Sequence, residues 1–149
     1  MTLHSDSPEA TEGIGLRLGA ACTGGELIGL VGDLGAGKTC LTRGIAAGLG
    51  VDPAAITSPS FTLIAEHRGR LPLFHIDLYR LDTGAADALW LREYLFGSGV
   101  AVVEWFERLA SPVADEQLVI TFGFASERDR VLGVTAIGPH HQALARSLA

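Results

Sequence analysis

Cysteine is scarce in this 149-residue sequence, with Cys22 and Cys40 the only two. Two thiols cannot build a disulfide framework, and neither has the company of a zinc site, so the composition points to a reducing, cytoplasmic setting. Basic residues are also few. Against 17 Asp and Glu there are 11 Lys and Arg, and the net charge of -6 disfavours nonspecific attraction to nucleic acid or anionic lipid. Any action on RNA would then run through a partner. No apolar run approaches membrane-spanning length, and the polar stretch from Met1 to Glu12 lacks the basic start and apolar centre of a secretion signal. Pro-rich, Ser-rich and like-charge blocks are missing too, so no linker is expected and residues 1–149 read as one domain.

Local patterns predict the elements. Ser7-Pro8-Glu9 combines an N-cap, a first-turn proline and an acid suited to the helix dipole, predicting a helix to about Ala21 that Gly13, Gly15 and Gly19 weaken. Glu26–Val31 is a short apolar run between glycines, the pattern of a strand buried on both faces. Leu41, Ile45, Gly48 and Leu49 recur at helical spacing, and Gly50 with Pro53 ends that helix. Phe61–His67 and Leu73–Tyr79 predict two strands around Arg68-Gly69-Arg70, and a helix is expected between Ala85 and Leu95. Val100–Val103 is the next buried strand. Leu118–Phe124 and Val131–Ile137, joined by Ser126 to Asp129, predict an antiparallel pair, with a helical tail from His140. The expected fold class is α/β, a mixed parallel and antiparallel sheet flanked by helices, in a single domain.

Between the first buried strand and the following helix stands Gly32-Asp33-Leu34-Gly35-Ala36-Gly37-Lys38-Thr39, which satisfies G-x-x-x-x-G-K-S/T. Glycines let backbone N–H groups turn inward. With the helix N-terminus they create a positive concavity for phosphate oxygens, Lys38 adds a full charge, and the Thr39 hydroxyl can ligate Mg²⁺. Gly35, Ala36, Gly37, Lys38, Thr39 and the adjoining Cys40 are the residues expected around a nucleoside triphosphate, ATP in the first instance. Such a site needs an acid at the end of an apolar strand to hold the metal. Glu104, after Val100-Ala101-Val102-Val103, fits best, and Asp77 competes, either for the metal or for the attacking water. Thr57–Phe61 offers hydroxyls on a proline-stiffened connection where P-loop proteins often sense the terminal phosphate. His75 reads as a packed or capping histidine, and His4, His67, His140 and His141 receive no role.

Gly-Asp-Leu-Gly-Ala-Gly-Lys-Thr at 32–39, Ser-Pro-Ser-Phe-Thr-Leu at 58–63, His-Ile-Asp-Leu-Tyr-Arg-Leu at 75–81 and Val-Glu-Trp at 103–105 together resemble the TsaE (YjeE) family of bacteria. The resemblance runs from about Thr11 to the last strands. It implies an ATPase that works with TsaB and TsaD to make threonylcarbamoyladenosine in tRNA, which it would reach only through that complex, with ATP or ADP and Mg²⁺ as cofactors. It also implies Lys38, Asp77 and Glu104 as catalytic residues, Thr39 and Glu104 as metal ligands, Trp105 beside the site, and Thr11 and Arg130 near the nucleoside. Ser58–Thr62 and His75–Arg80 become switch-like segments. Cys40 stands where the family usually has threonine, Phe106 where proline usually follows Glu-Trp, and Trp90 where glycine is usual; Gly84–Ala88 lacks the usual glutamates. Two other functions share the loop, a small-molecule kinase and a nucleotide-gated assembly module. The first would need an arginine-bearing lid, and no cluster of that kind is present.

Overall fold

The computed structural model describes residues 1–57, 63–80, 92–95, 97–109 and 114–149. The chain forms β1 (Thr2–Ser5), α1 (Pro8–Ala21), β2 (Leu27–Val31), α2 (Lys38–Gly48), β3 (Ile64–Arg68), β4 (Pro72–Asp77), α3 (Arg92–Leu95), β5 (Val100–Glu104), β6 (Gln117–Phe124), β7 (Arg130–Ile137) and α4 (Pro139–Arg146). Seven strands make one sheet in the order β1-β7-β6-β2-β5-β4-β3. Its centre is parallel, β2 pairing with β5 and β6 and β5 with β4, while β1–β7, β6–β7 and β3–β4 are antiparallel. This is the mixed α/β sheet expected from the sequence.

Central strands are apolar because both their faces are covered. On one face Ile28, Leu30, Val100, Val102, Leu118 and Ile120 pack with Leu18 of α1 and Leu41 and Ile45 of α2. On the other, Leu27, Ile76, Ala101 and Val103 pack with Leu95, and Trp105 and Phe106 lie against them. Gly29 has a steric reason in this layer. A Cβ there would come within 2.5 Å of the Phe106 ring, so the ring that replaces the usual proline sits on a strand position left bare.

The glycines that were expected to weaken α1 prove to serve its packing on α2. A Cβ on Gly15 would lie 2.3 Å from the Leu41 carbonyl oxygen and one on Gly19 2.2 Å from that of Ile45. From the α2 side, a Cβ on Gly44 would come to 2.1 Å from the Glu12 carbonyl oxygen and one on Gly48 to 2.5 Å from that of Leu16. Gly13 alone faces open space. The α1 cap is as read, with the Ser7 hydroxyl accepting from the Ala10 N–H at 3.0 Å.

Several boundaries differ from expectation. Strand β1 was not anticipated, since its four residues carry no local signal and it forms by pairing with β7, from Thr2 opposite Gly133 to Ser5 opposite Arg130. Arg68 belongs to β3 rather than to the turn, and β4 stops at Asp77, leaving Leu78 and Tyr79 beyond the ladder. Helix α2 starts earlier, at Lys38, and α4 starts at Pro139. Of the helix expected over 85–95 only Arg92–Leu95 is described; Gly84–Ala88, Trp90 and the Ser58–Thr62 connection lie outside the described residues. No helix among the described residues is long and apolar enough to cross a membrane.

Candidate functional site

The loop between β2 and α2 leaves the carboxyl end of the central strand, where open α/β sheets place ligands. It turns by means of left-handed glycines, Gly35 at φ 80° and Gly37 at φ 113°, which only a residue without Cβ adopts cheaply. No side chain caps α2, in contrast to α1. Its first N–H groups are therefore available to an anion, in the field of the helix N-terminus.

Lys38 is the first residue of α2 and is almost fully buried. Its ammonium bonds the Gly32 carbonyl and, at 3.0 Å, the Asp33 carbonyl, so it is folded onto the loop that it would serve. The Trp105 ring lies 4.0 Å away, close enough for a cation–π contact. Burial pulls the Lys38 pKa down, against the opposing pull of Glu104, Glu107, Asp77 and Asp33. The net shift is downward.

Thr39 and Glu104, the two residues expected to ligate a metal, lie in direct contact. The Thr39 hydroxyl lies 2.9 Å from one oxygen of Glu104 and 3.1 Å from the other. Glu104 is the last residue of β5, buried to 3% exposure, and its second oxygen also meets Nε2 of His75. Asp77 ends the neighbouring strand directly opposite Glu104 in register, and one of its oxygens accepts from the Tyr79 N–H at 2.9 Å. Among the described residues no three His, Cys, Asp or Glu side chains converge on one metal position. A hydroxyl and one carboxylate with a second acid alongside are instead the donor set that suits Mg²⁺, which keeps water and phosphate oxygens for its remaining positions.

Two clefts flank the loop. The first, about 390 Å³, is lined by the loop with Thr39, Asp77, Tyr79, Glu104 and Trp105. Trp105 is held there with left-handed backbone, φ 59° and ψ 42°, a costly state for a bulky residue and one that is often kept for function. Tyr79 leans on it with ring centres 5.0 Å apart, and the Arg108 guanidinium is 5.4 Å from its centre. The second cleft, about 330 Å³, shares Gly35, Gly37 and Cys40 with the first and adds Thr11, Arg43 and Arg130. Thr11 lines it, but its hydroxyl is engaged with Ser5 at 2.7 Å. Arg130 braces the loop, donating to the Ala36 backbone carbonyl at 3.2 Å and to the Glu127 backbone carbonyl at 2.9 Å, with its guanidinium 4.3 Å from the Phe124 ring centre. Cys40 turns towards α1, 3.2 Å from the Pro8 carbonyl, and burial first, then Glu12, raises its pKa, so it stays a thiol.

The candidate residues among those described thus gather at one end of the sheet. Arg108 was not singled out in the sequence and reaches the site by a turn with no local signature. His75 and Tyr79 lie within the switch-like segment His75–Arg80 but had no role of their own; His75 by itself read as a packed or capping histidine, although alternation along the strand already placed it on the face of Asp77. His140 and His141, given no role, also have partners: His140 bonds Glu26 at 2.7 Å, and His141 Nε2 accepts from the Leu27 N–H at 3.0 Å.

A glycine-rich loop after a central parallel strand, an uncapped helix, and a buried strand-end acid touching the residue after the lysine define the P-loop NTPase class of fold. Residues 5–132 match the family described as Threonylcarbamoyl adenosine biosynthesis protein TsaE. The chain belongs to the TsaE family. The tRNA threonylcarbamoyladenosine biosynthesis protein TsaE of Bacillus subtilis strain 168 is 39% identical over 144 residues, covering 96% of this chain and 90% of that protein. Its counterpart in Treponema pallidum is 39% identical over 141 residues, 90% and 99% of the two chains. The crystal structure of the Bacillus YdiB protein superposes with a TM-score of 0.80 at 37% identity, covering 99% of this chain and 93% of that one.

Proposed function

We propose that this chain binds ATP with Mg²⁺ and hydrolyses it as the ATPase of threonylcarbamoyladenosine synthesis in tRNA, acting in the cytoplasm with TsaB and TsaD. It reaches tRNA only through that complex. One observation carries the reading: the hydroxyl of Thr39, next to the loop lysine, contacts both oxygens of a buried glutamate at the end of the neighbouring strand.

In this reading the loop N–H groups and the start of α2 hold the phosphates, and Lys38 exchanges the Gly32 and Asp33 carbonyls for phosphate oxygens. Thr39 and Glu104 would hold Mg²⁺, which neutralises charge on the outer phosphates when bound. Asp77, which accepts from the Tyr79 N–H at one oxygen and stands opposite Glu104 in register, would orient the attacking water. Trp105 covers Lys38 and keeps water from its ammonium. The second cleft, with Thr11, Cys40 and Arg130, is where the nucleoside would lie.

Among the described residues no arginine lines the first cleft, Arg108 packing on the Trp105 ring instead. A supplied arginine is worth ~10³–10⁵ in P-loop hydrolysis, so the isolated chain is expected to turn over slowly and its partners to change the rate. Steady-state ATPase measured alone and with TsaB and TsaD, beside threonylcarbamoylation of tRNA with and without the chain, tests this. A fast enzyme indifferent to both partners would overturn it.

A further inference from the structure

His75 lies on β4 with no exposure to solvent, on the same face as Leu73 and Asp77. Register sets it opposite Val102 and sets Asp77 opposite Glu104, so His75 reaches Glu104 diagonally across the strand pair. Its Nε2 meets Oε2 of that carboxylate. A carboxylate has no hydrogen to give, so the ring nitrogen donates. The other nitrogen, Nδ1, is buried with no hydrogen-bond partner among the described residues. An apolar side chain of similar size would fill this place without leaving a polar atom unsatisfied. What the histidine adds is therefore its bond to Glu104. That bond holds the carboxylate from behind, while Thr39 Oγ1 lies 2.9 and 3.1 Å from its two oxygens at the mouth of the cleft.

We infer that His75 is a positioning residue, fixing the carboxylate of Glu104 in the one orientation in which it and the Thr39 hydroxyl together hold a divalent cation beside bound phosphates. Carboxylates that ligate metals are ordinarily held by such a partner, and losing one lowers metal affinity about 10–100-fold. The inference rests on the nucleotide-binding reading above and extends it to a residue that touches neither nucleotide nor metal.

Calorimetry of a non-hydrolysable ATP analogue, with Mg²⁺ and with EDTA, separates the metal-dependent part of affinity from the rest. His75→Leu is expected to cut the ratio of the two affinities about 10–100-fold with the EDTA value unchanged, while His75→Gln, which keeps an N–H at a similar reach, restores most of the ratio. Should His75→Leu fail to fold, His75→Asn, polar but too short to reach Glu104, takes its place with the same expected loss. An unchanged ratio in a folded variant, or equal loss in the Gln and Leu proteins, overturns the inference. A nucleotide-free measurement stands beside it. Imidazole ¹⁵N shifts of the wild-type protein are expected to show His75 with hydrogen on Nε2, and hydrogen on Nδ1 alone overturns the inference whatever the ligand does. Failure of the underlying reading looks different, as wild-type protein that binds the analogue no better than Lys38→Ala.

Discussion

Two buried glutamates each meet a histidine, and they sit at opposite ends of the central parallel strands. Glu26, just before β2, is 1% exposed, and its two oxygens accept from the Thr23 N–H and hydroxyl, the Gly24 N–H and His140. Both oxygens are engaged by donors from one turn and one helix start. Glu104, at the far end of β5, is buried too, but among the described residues it meets only His75 and one hydroxyl, and it borders a cleft. The first carboxylate is closed and the second is open. Burial and a histidine partner are common to both, so neither marks a functional acid; what separates them is unused acceptor capacity facing space that a ligand can enter.

Removing charge at the open end should affect binding and spare the fold. Lys38→Ala deletes a charge-assisted contact of ~1.5–3 kcal/mol, so ATP affinity by calorimetry is expected to fall from about tenfold to over a hundredfold. At the closed end the effects reverse. Glu26→Ala strands several buried donors, an expected loss of ~1–3 kcal/mol and a melting temperature lower by about 2–10 °C in a chain of this size, with ATP affinity unchanged. Glu104→Gln keeps the volume and loses the charge, so the Mg²⁺-dependent part of binding or turnover should drop while the protein stays folded, as circular dichroism would check. If Glu26→Ala weakened nucleotide binding as much as Glu104→Gln does, the distinction between the two ends would collapse.

The smallest effect expected is on pH dependence. Burial alone would raise the Glu26 pKa, but the Thr23 and Gly24 N–H groups and His140 outweigh it and hold the group below its ordinary value. A carboxylate with a depressed folded-state pKa contributes stability that is complete above the unfolded value, about 4.3, and is lost as pH falls through the folded one. Urea midpoints measured downward from pH 5 should therefore decline less steeply in Glu26→Gln than in the wild type, and equal slopes would show that Glu26 is not held as described.

Much of the molecule was legible because its signals are local. Ser7, the run Leu27–Val31, the loop glycines, Val100–Glu104 and the hairpin β6–β7 each announce themselves within a dozen residues. Lys38, Thr39 and Glu104, which the structure brings to one cleft, could be singled out in the sequence because the loop has a fixed pattern and a P-loop calls for an acid at the end of a nearby strand. What escaped notice depends on long-range pairing. β1 exists only through β7, His75 meets Glu104 across 29 residues, and His140 meets Glu26 across 114, distances at which no periodicity reports a contact. The α1 glycines were misjudged for the same reason: in isolation they weaken a helix, and only the approach of α2 reveals their use.

That approach has a consequence for how the sequence can drift. Gly15, Gly19, Gly44 and Gly48 form two pairs spaced four apart on helices that touch backbone to backbone, and at each a methyl group would collide with a carbonyl or an amide. A saturation library selected for folded protein should return glycine at these four places almost alone, while Gly13, a few ångströms of chain away and free of neighbours, should accept nearly any helix-forming residue. Because α2 begins at the loop lysine, these four missing side chains also fix how deeply the phosphate loop is seated, so tolerance to substitution in α1 is set by a helix it merely leans upon.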